Sequence, residues 1–331
     1  MILAGDIGGT KTILAFFSGE GEPCNPLKEG FYLNQDYASI EDVIDAFVRG
    51  TQIPIAQASL GVAGPVVDGH CQTTNLPWTV DAPRISERFG IPSVRLLNDL
   101  EATAYGTLVL QEQDTVSLNP GRALRTGNRA VIAAGTGLGE SILFWDGKRH
   151  RPAATEGGHS DFAPRNALEI ELLEYLIGQF GHVSYERIVS GPGLIGVYRF
   201  LKETGRGEEP SWLSELLERG DPAATVSEFG LSGKAELCVK ALDLFVSIYG
   251  SEAGNLALKS LATGGIYVGG GIAPKILDKL VDGTFVKSLV DKGRYAPLLA
   301  QIPVRVILNE KTALLGAAHY ARWSGCSEEG S

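Results

Sequence analysis

An asparagine and an aspartate, Asn98-Asp99, follow the apolar run at 94–97 and precede a helix-forming stretch at 100–108, which sets them at a strand-to-helix junction. Open α/β sheets bind ligands at such junctions. An aspartate held there and partly shielded from water can take the proton of a substrate hydroxyl as the oxygen attacks. Asn and Asp are also the favoured helix caps, so these residues alone fit a cap as well as a base. A second group, Glu156-Gly157-Gly158-His159 with the more distant Glu186, offers two carboxylates and an imidazole. Glutamate and histidine together are candidate metal ligands. The plain alternative is a solvated loop. A metal site is disfavoured, because neither an HExxH helix nor a cysteine partner accompanies them.

Three glycine-rich turns accompany these side chains. Asp6-Ile7-Gly8-Gly9-Thr10 joins expected strands at 2–5 and 12–17, Gly135-Thr136-Gly137-Leu138-Gly139 joins 129–134 to 141–144, and Gly269-Gly270-Gly271 ends a strand that starts near Gly264. Paired glycines let backbone N–H groups converge on a concavity that suits phosphate oxygens, with tight packing of elements as the alternative. Residues 5–12 approach the P-loop pattern GxxxxGK[ST], with Thr10 in place of the second glycine. A P-loop runs into a helix, whereas β-branched and aromatic residues follow here, so the reading is strand-turn-strand. On that reading Thr12 has left the turn and contributes little beyond strand propensity. The second turn resembles a dinucleotide fingerprint with Glu156 about 20 residues on, but its GxGxG spacing leads into a strand. Sliding Ile13-Leu14 onto Ile142-Leu143, an offset of 129, puts Gly8 on Gly137 and Thr12 on Ser141, which suggests an internal duplication.

The positioning elements follow in order. A third strand is expected at 31–33, a helix capped by Ser39 with Val43, Ile44, Phe47 and Val48 on one face, a strand at 58–63, and a helix from Asp81 and Pro83 to Gly90. Beyond the second turn come a hairpin at Asp146-Gly147, a helix at 167–177 capped by Asn166, and a helix opened by Gly191-Pro192-Gly193. Residues 202–221 read as a polar exposed insertion, and 234–258 as a long core helix. Pro274 starts a further helix, 304–308 is the last strand, and a helix at 312–320 is expected to pack back on the N-terminal half.

With 331 residues, 44% hydrophobic and 21% charged, the chain is long enough for two domains. Lys+Arg of 29 against Asp+Glu of 39 gives a net charge of −10, which argues against nucleic acid or an anionic membrane as a partner. The four cysteines, Cys24, Cys71, Cys238 and Cys326, form no close pair. With no signal-peptide pattern and no uninterrupted apolar span, a reducing cytoplasm is expected.

Taken together, Gly5-Asp6-Ile7-Gly8-Gly9-Thr10, Thr74-Asn75-Leu76-Pro77-Trp78, Leu97-Asn98-Asp99, Gly135-Thr136-Gly137-Leu138-Gly139, Glu156-Gly157-Gly158-His159, Glu186 before Ser190-Gly191-Pro192-Gly193, and Gly269-Gly270-Gly271-Ile272 resemble the bacterial glucokinases of the hexokinase superfamily, nearly end to end. The resemblance implies a duplicated α/β ribonuclease-H-like fold of the actin and hexokinase type, two domains around an active-site cleft. The expected division is 1–107 plus 306–331 for a small domain and 108–305 for a large one. It implies ATP-dependent phosphorylation of the glucose 6-hydroxyl in glycolysis, with Asp99 as general base and Asn98, Asp99, Glu156, His159 and Glu186 on the sugar. Asp6, Gly8, Gly9, Thr10, Lys11, Gly135, Thr136 and Gly137 would meet the ATP phosphates, and Gly269, Gly270 and Gly271 the nucleoside. No direct protein ligand to a metal is expected; Mg²⁺ would come with ATP, with Asp6 reaching it through water. A homodimer is expected. The zinc-binding cysteine cluster of the repressor, open-reading-frame and kinase family is missing, and Lys11-Thr12-Ile13 stands where zinc-free relatives often carry Asn-Ala-Arg. Two alternatives stand beside this reading: a non-catalytic sugar sensor on the same fold, and a kinase for another substrate.

Overall fold

The computed structural model describes residues 1–19, 25–51, 54–73 and 76–325, so Cys24, Cys326 and the Thr74-Asn75 pair lie outside the described residues. The chain divides into two compact units, one of Met1–Asp114, Pro152–Ala154 and Asn309–Ser331, the other of Thr115–Arg151 and Thr155–Leu308.

In the first unit β1 (Ile2–Ile7), β2 (Lys11–Phe17), β3 (Lys28–Leu33), β4 (Gln57–Val62) and β8 (Ser93–Asn98) form one sheet in the order β3-β2-β1-β4-β8. The first three strands are antiparallel neighbours, and β1, β4 and β8 run parallel. Between β4 and β8 a small sheet of β5 (Val66–Val67), β6 (His70–Gln72) and β7 (Thr79–Asp81) leads into a helix, its strands too short to show an alternation of residue types.

Alternation along β1 and β2 splits their side chains between two cores. Leu3, Ile7, Leu14 and Phe16 pack with residues of α1 (Ile40–Val48) and α2 (Ala82–Phe89), while Ile2, Ala4, Ile13, Ala15 and Phe17 pack with the C-terminal helix. Ser39 caps α1 and Asp81 caps α2, where Gly90 ends the helix in the left-handed region at φ 63°, as expected from their residue types. Helix α3 (Asp99–Gly106) follows β8 directly.

The second unit repeats the plan. Its sheet contains β9 (Thr115–Asn119), β10 (Arg129–Ala134), β11 (Leu138–Trp145), β12 (His150–Thr155), β13 (Gly265–Gly269) and β14 (Val304–Ile307), in the order β12-β11-β10-β13-β14-β9. Again an antiparallel strand pair is followed by parallel partners, β10 with β13 and β13 with β14. The last ladder pair before the turn is Ile7↔Thr12 in one sheet and Ala134↔Leu138 in the other. The second turn is therefore one residue shorter, and the sequence offset of 129 is out of step with the strands.

Helices α4 (Ala167–Phe180), α5 (Gly191–Glu203), α6 (Ser211–Arg219), α7 (Pro222–Leu231) and α8 (Glu236–Ser260) build the core of this unit with α9 (Leu277–Val281), α10 (Thr284–Val290) and α11 (Ala296–Leu299). The long α8 is a core member, with Leu237, Ala241, Phe245 and Ile248 buried. The exposed insertion expected at 202–221 is corrected. Part of it is α6, whose Leu213 is fully buried and whose Trp212 lies 5.1 Å from the ring of Phe229 in α7. Leu213 and Leu217 are four residues apart, which puts both on the inner face of a short helix. Pro274 likewise falls in a 3-10 turn that precedes α9.

The last helix, α12 (Thr312–Gly325), belongs to the first unit and crosses α3 closely. A Cβ at Gly316 would be driven into the carbonyl oxygen of Ala102, and one at Gly106 into that of Thr312. This bears out the expectation that the last helix returns to the N-terminal half.

Candidate active site

In the first unit, strand β8 ends in Asn98, and Asn98 is the residue that caps α3. Its Oδ1 accepts from the N–H groups of Leu100 at 3.0 Å and Glu101 at 3.4 Å, while its Nδ2 donates to the Gly64 carbonyl at 3.1 Å. With the cap supplied by its neighbour, Asp99 at the first helical position keeps more than a third of its surface open. One of its oxygens accepts from Leu100 N–H at 2.9 Å. Burial against the surrounding protein raises the Asp99 pKa, and the backbone N–H groups and the Asn98 amide oppose the rise. The open face limits what that burial can do.

The pleat of β1 puts Asp6 on the same side as Ile2 and Ala4, the side covered by α12. Burial and the charge of Asp99 push the Asp6 carboxyl up to about 6, with Lys11 pulling the other way. Asp6 and Asp99 are thus electrostatic neighbours at the C-terminal ends of two parallel strands. In the turn between β1 and β2, Gly8 N–H donates to the Lys11 carbonyl at 3.0 Å, and Thr10 and Lys11 are exposed.

The expectation for Thr12 is corrected. Its side chain is fully buried and its hydroxyl donates to Asn34 Oδ1 at 2.7 Å. Asn34 Nδ2 donates to the Gly8 carbonyl at 2.8 Å and Asn34 N–H to the Thr10 carbonyl at 3.0 Å. Thr12 therefore supports the turn from beneath, through an asparagine that sequence reasoning missed. A lone Asn just after a strand looks like any turn residue, and only the β2–β3 register brings it to the glycines.

In the second unit, Glu156, His159 and Glu186 come together. His159 Nε2 is 4.0 Å from a Glu156 oxygen, and its Nδ1 is 3.9 Å from Glu186 Oε1. The other Glu186 oxygen accepts from Leu138 N–H at 2.9 Å, which ties it to the Gly135-to-Gly139 turn. Residues 157–159 form a 3-10 turn, and the Glu156 side chain is 88% exposed, so its carboxylate is free to meet a ligand.

Gly135 N–H donates to the Gly137 carbonyl at 2.8 Å, and Gly191 N–H at the start of α5 donates to the Gly135 carbonyl at 2.9 Å. Gly270 has φ +83°, and any Cβ there would meet the Ala134 carbonyl, so the turn after β13 requires glycine. Gly135, Thr136 and Gly271 border a cavity of about 840 Å³. Its apolar walls are Leu194 and Ile195 from α5, Leu231 from α7, and Ile272, and Ser227, Glu228 and Lys275 add polar groups to the lining. Bare backbone at one edge and apolar side chains across from a few polar ones suit a phosphate and a flat ring together, and the volume is that of a small-molecule site. Sequence reasoning missed the α7 wall. The signal was present in Asp221-Pro222, a cap followed by proline, as at the start of α2. Among the described residues no three His, Cys, Asp or Glu side chains are grouped to hold a metal ion.

The glucokinase family model matches residues 3–324. A glucokinase from Synechocystis sp. is 42% identical over 341 residues, covering 96% of this chain and 96% of the relative. The fold is similar to that of a glucokinase from an Antarctic psychrotroph, with TM-score 0.85, 29% identity, and 97% and 98% of the two chains covered. It is also similar to a ROK family glucokinase from Streptomyces griseus solved with glucose and AMPPNP, with TM-score 0.62, 22% identity, and 97% and 99% covered. The two repeated sheets and these neighbours establish the duplicated actin-like fold. Since the matched residues run through every element that carries Asp6, Asp99, Glu156, His159 and Glu186, this chain belongs to the glucokinase family.

Proposed function

We propose that the chain transfers the terminal phosphoryl group of ATP to the 6-hydroxyl of glucose, with Asp99 as general base. The observation that carries the reading is Asp99 left exposed at the start of α3 because Asn98 supplies the cap. A carboxylate so placed can accept the hydroxyl proton as the oxygen attacks phosphorus. Asn98, Glu156, His159 and Glu186 take the sugar hydroxyls, and a sugar that lacks one of these leaves its partner without a hydrogen bond. Gly8, Gly9, Thr10 and Lys11, with Gly135, Thr136 and Gly137, take the phosphates. The cavity bordered by Gly271 takes the nucleoside, with Gly269 and Gly270 in the turn that leads to it.

Mg²⁺ bound with ATP supplies charge neutralisation on the phosphate oxygens. Asp6 fits a place in its water shell, because a half-buried carboxyl pushed up to about 6 by burial and by Asp99 gains from a nearby cation. The buried, unpaired thiols of Cys71 and Cys238 support a reducing cytoplasmic setting. A glycolytic role and a homodimer complete the reading, and sedimentation of the purified chain measures the latter.

A coupled assay with ATP and Mg²⁺ across glucose, mannose, fructose and N-acetyl sugars tests the activity. Glucose should give the highest kcat/KM. Sugar binding without turnover would favour the sensor instead.

A further inference from the structure

Two carboxyl groups lie buried beneath the 156–159 turn and have no part in the chemistry above. Glu140, in β11, is 2% exposed, and its Oε1 has no hydrogen-bond partner. Its other oxygen is packed against Gly157 so closely that a Cβ there would collide with it. The Glu140 carbonyl accepts from Thr155 Oγ1 at 2.9 Å, and Thr155 Oγ1 in turn accepts from Gly157 N–H at 3.1 Å. Side chain and main chain of one residue thus meet the start of the turn that presents Glu156 and His159.

Glu252, in α8, is fully buried within hydrogen-bonding reach of the Glu140 carboxyl. It accepts from Asn255 Nδ2 at 2.7 Å and from Lys259 Nζ at 3.3 Å. The same Asn255 nitrogen donates to the Tyr185 hydroxyl at 2.9 Å. Tyr185 precedes Glu186, and its N–H donates to the Ser160 carbonyl at 3.0 Å. The network therefore touches the residues on either side of the group formed by Glu156, His159 and Glu186.

Two carboxylates this close in a buried setting do not both ionise, and the stable arrangement keeps one proton between them. We propose that Glu140 and Glu252 are positioning residues for the sugar-binding turn, a carboxyl pair that shares one proton and holds residues 155–160 and Tyr185-Glu186 in place while it keeps that proton. This rests on the assignment of Glu156, His159 and Glu186 to the sugar. The charged and titratable groups that face the pair are Lys259 and Tyr249 from α8 and Tyr185; Lys292 lies beyond them, donating to Asn255 Oδ1 at 2.7 Å and Ser251 Oγ at 3.0 Å. Burial and the Glu252 charge push Glu140 up to about 8, with Lys259 opposing. Above that pH the proton is lost, the two charges repel, and the turn shifts away from its sugar-binding position.

The test is the KM for glucose at saturating ATP and Mg²⁺ from pH 7 to pH 9, in the full chain and in Glu140→Gln. One proton changes an equilibrium by at most about tenfold per pH unit, and for the unaltered chain a KM rise of about fivefold is expected, with kcat changing less. Glu140→Gln, which retains a donor toward Glu252 and cannot ionise, should hold its KM within about twofold across the range. If that variant does not fold, Glu252→Gln is read in the same way. A flat KM in the unaltered chain, or a parallel rise in the variant, overturns the proposal. Failure of the underlying site assignment shows separately, as an unchanged glucose KM in Glu156→Gln.

Discussion

Thr12 and Asn34, 22 residues apart, share a buried hydrogen bond of 2.7 Å, and through it the strand leaving the first glycine turn is tied to the residue that grips the turn's own carbonyls. Replacing Thr12 by Ala leaves the Asn34 oxygen buried without a donor, which costs about 1–3 kcal/mol. Chemical denaturation should show that loss, and the KM for ATP should rise. Thr12→Ser keeps the hydroxyl and should restore most of both. In a P-loop Thr12 would instead coordinate Mg²⁺, and its removal would abolish turnover without loss of stability.

Asp99→Asn should lower kcat by about 10²–10⁴, the usual worth of a positioned base, and leave glucose affinity within about tenfold. Steady-state kinetics with an equilibrium binding measurement separate the two. A variant with more than half the original kcat removes Asp99 from the mechanism.

Asp6 makes stability depend on pH. Its folded-state pKa, about 6, lies above the ordinary 3.8, so the folded chain holds a proton that the unfolded chain has released. Stability from this group is present below about 3.8 and falls as pH rises to about 6, by about 2–3 kcal/mol. Urea unfolding between pH 4 and 7 should show a shallower fall in Asp6→Asn than in the unaltered chain. The same variant should lose kcat while keeping its glucose affinity.

Glucose should raise the thermal midpoint of the unaltered chain, since a ligand at 100 times its Kd adds about 2.7 kcal/mol. Glu156→Ala and His159→Ala should lose that response. Unchanged shifts in both would make residues 156–159 a surface turn with no sugar contact.

Gly316→Ala should destabilise the chain by about 1–3 kcal/mol, because the added carbon meets the Ala102 carbonyl where α12 crosses α3. A thermal melt measures this. Substitution at Gly50, where nothing crowds an added carbon, lacks that collision, although its φ of 79° still favours glycine.

Both strand-turn-strand motifs were legible in the sequence, because alternation and paired glycines are local signals. The caps at Ser39, Asp81 and Asn166 were legible for the same reason. The bracing of those motifs was not. Asn34 reaches Gly8 only through strand pairing, and Glu252 meets Glu140 only where α8 crosses the sheet, more than a hundred residues along the chain. Asn98 showed both outcomes at once: its residue type announced a cap, and only the geometry revealed that capping by Asn98 is what leaves Asp99 open.

Helix α12 lies far along the chain from α3, yet it packs closely against that helix, which begins with Asp99. The long sequence separation makes that docking a late event in folding. Until α12 docks, Asp99 stands on a helix whose packing is incomplete, so on refolding glucose turnover should return no faster than that contact forms.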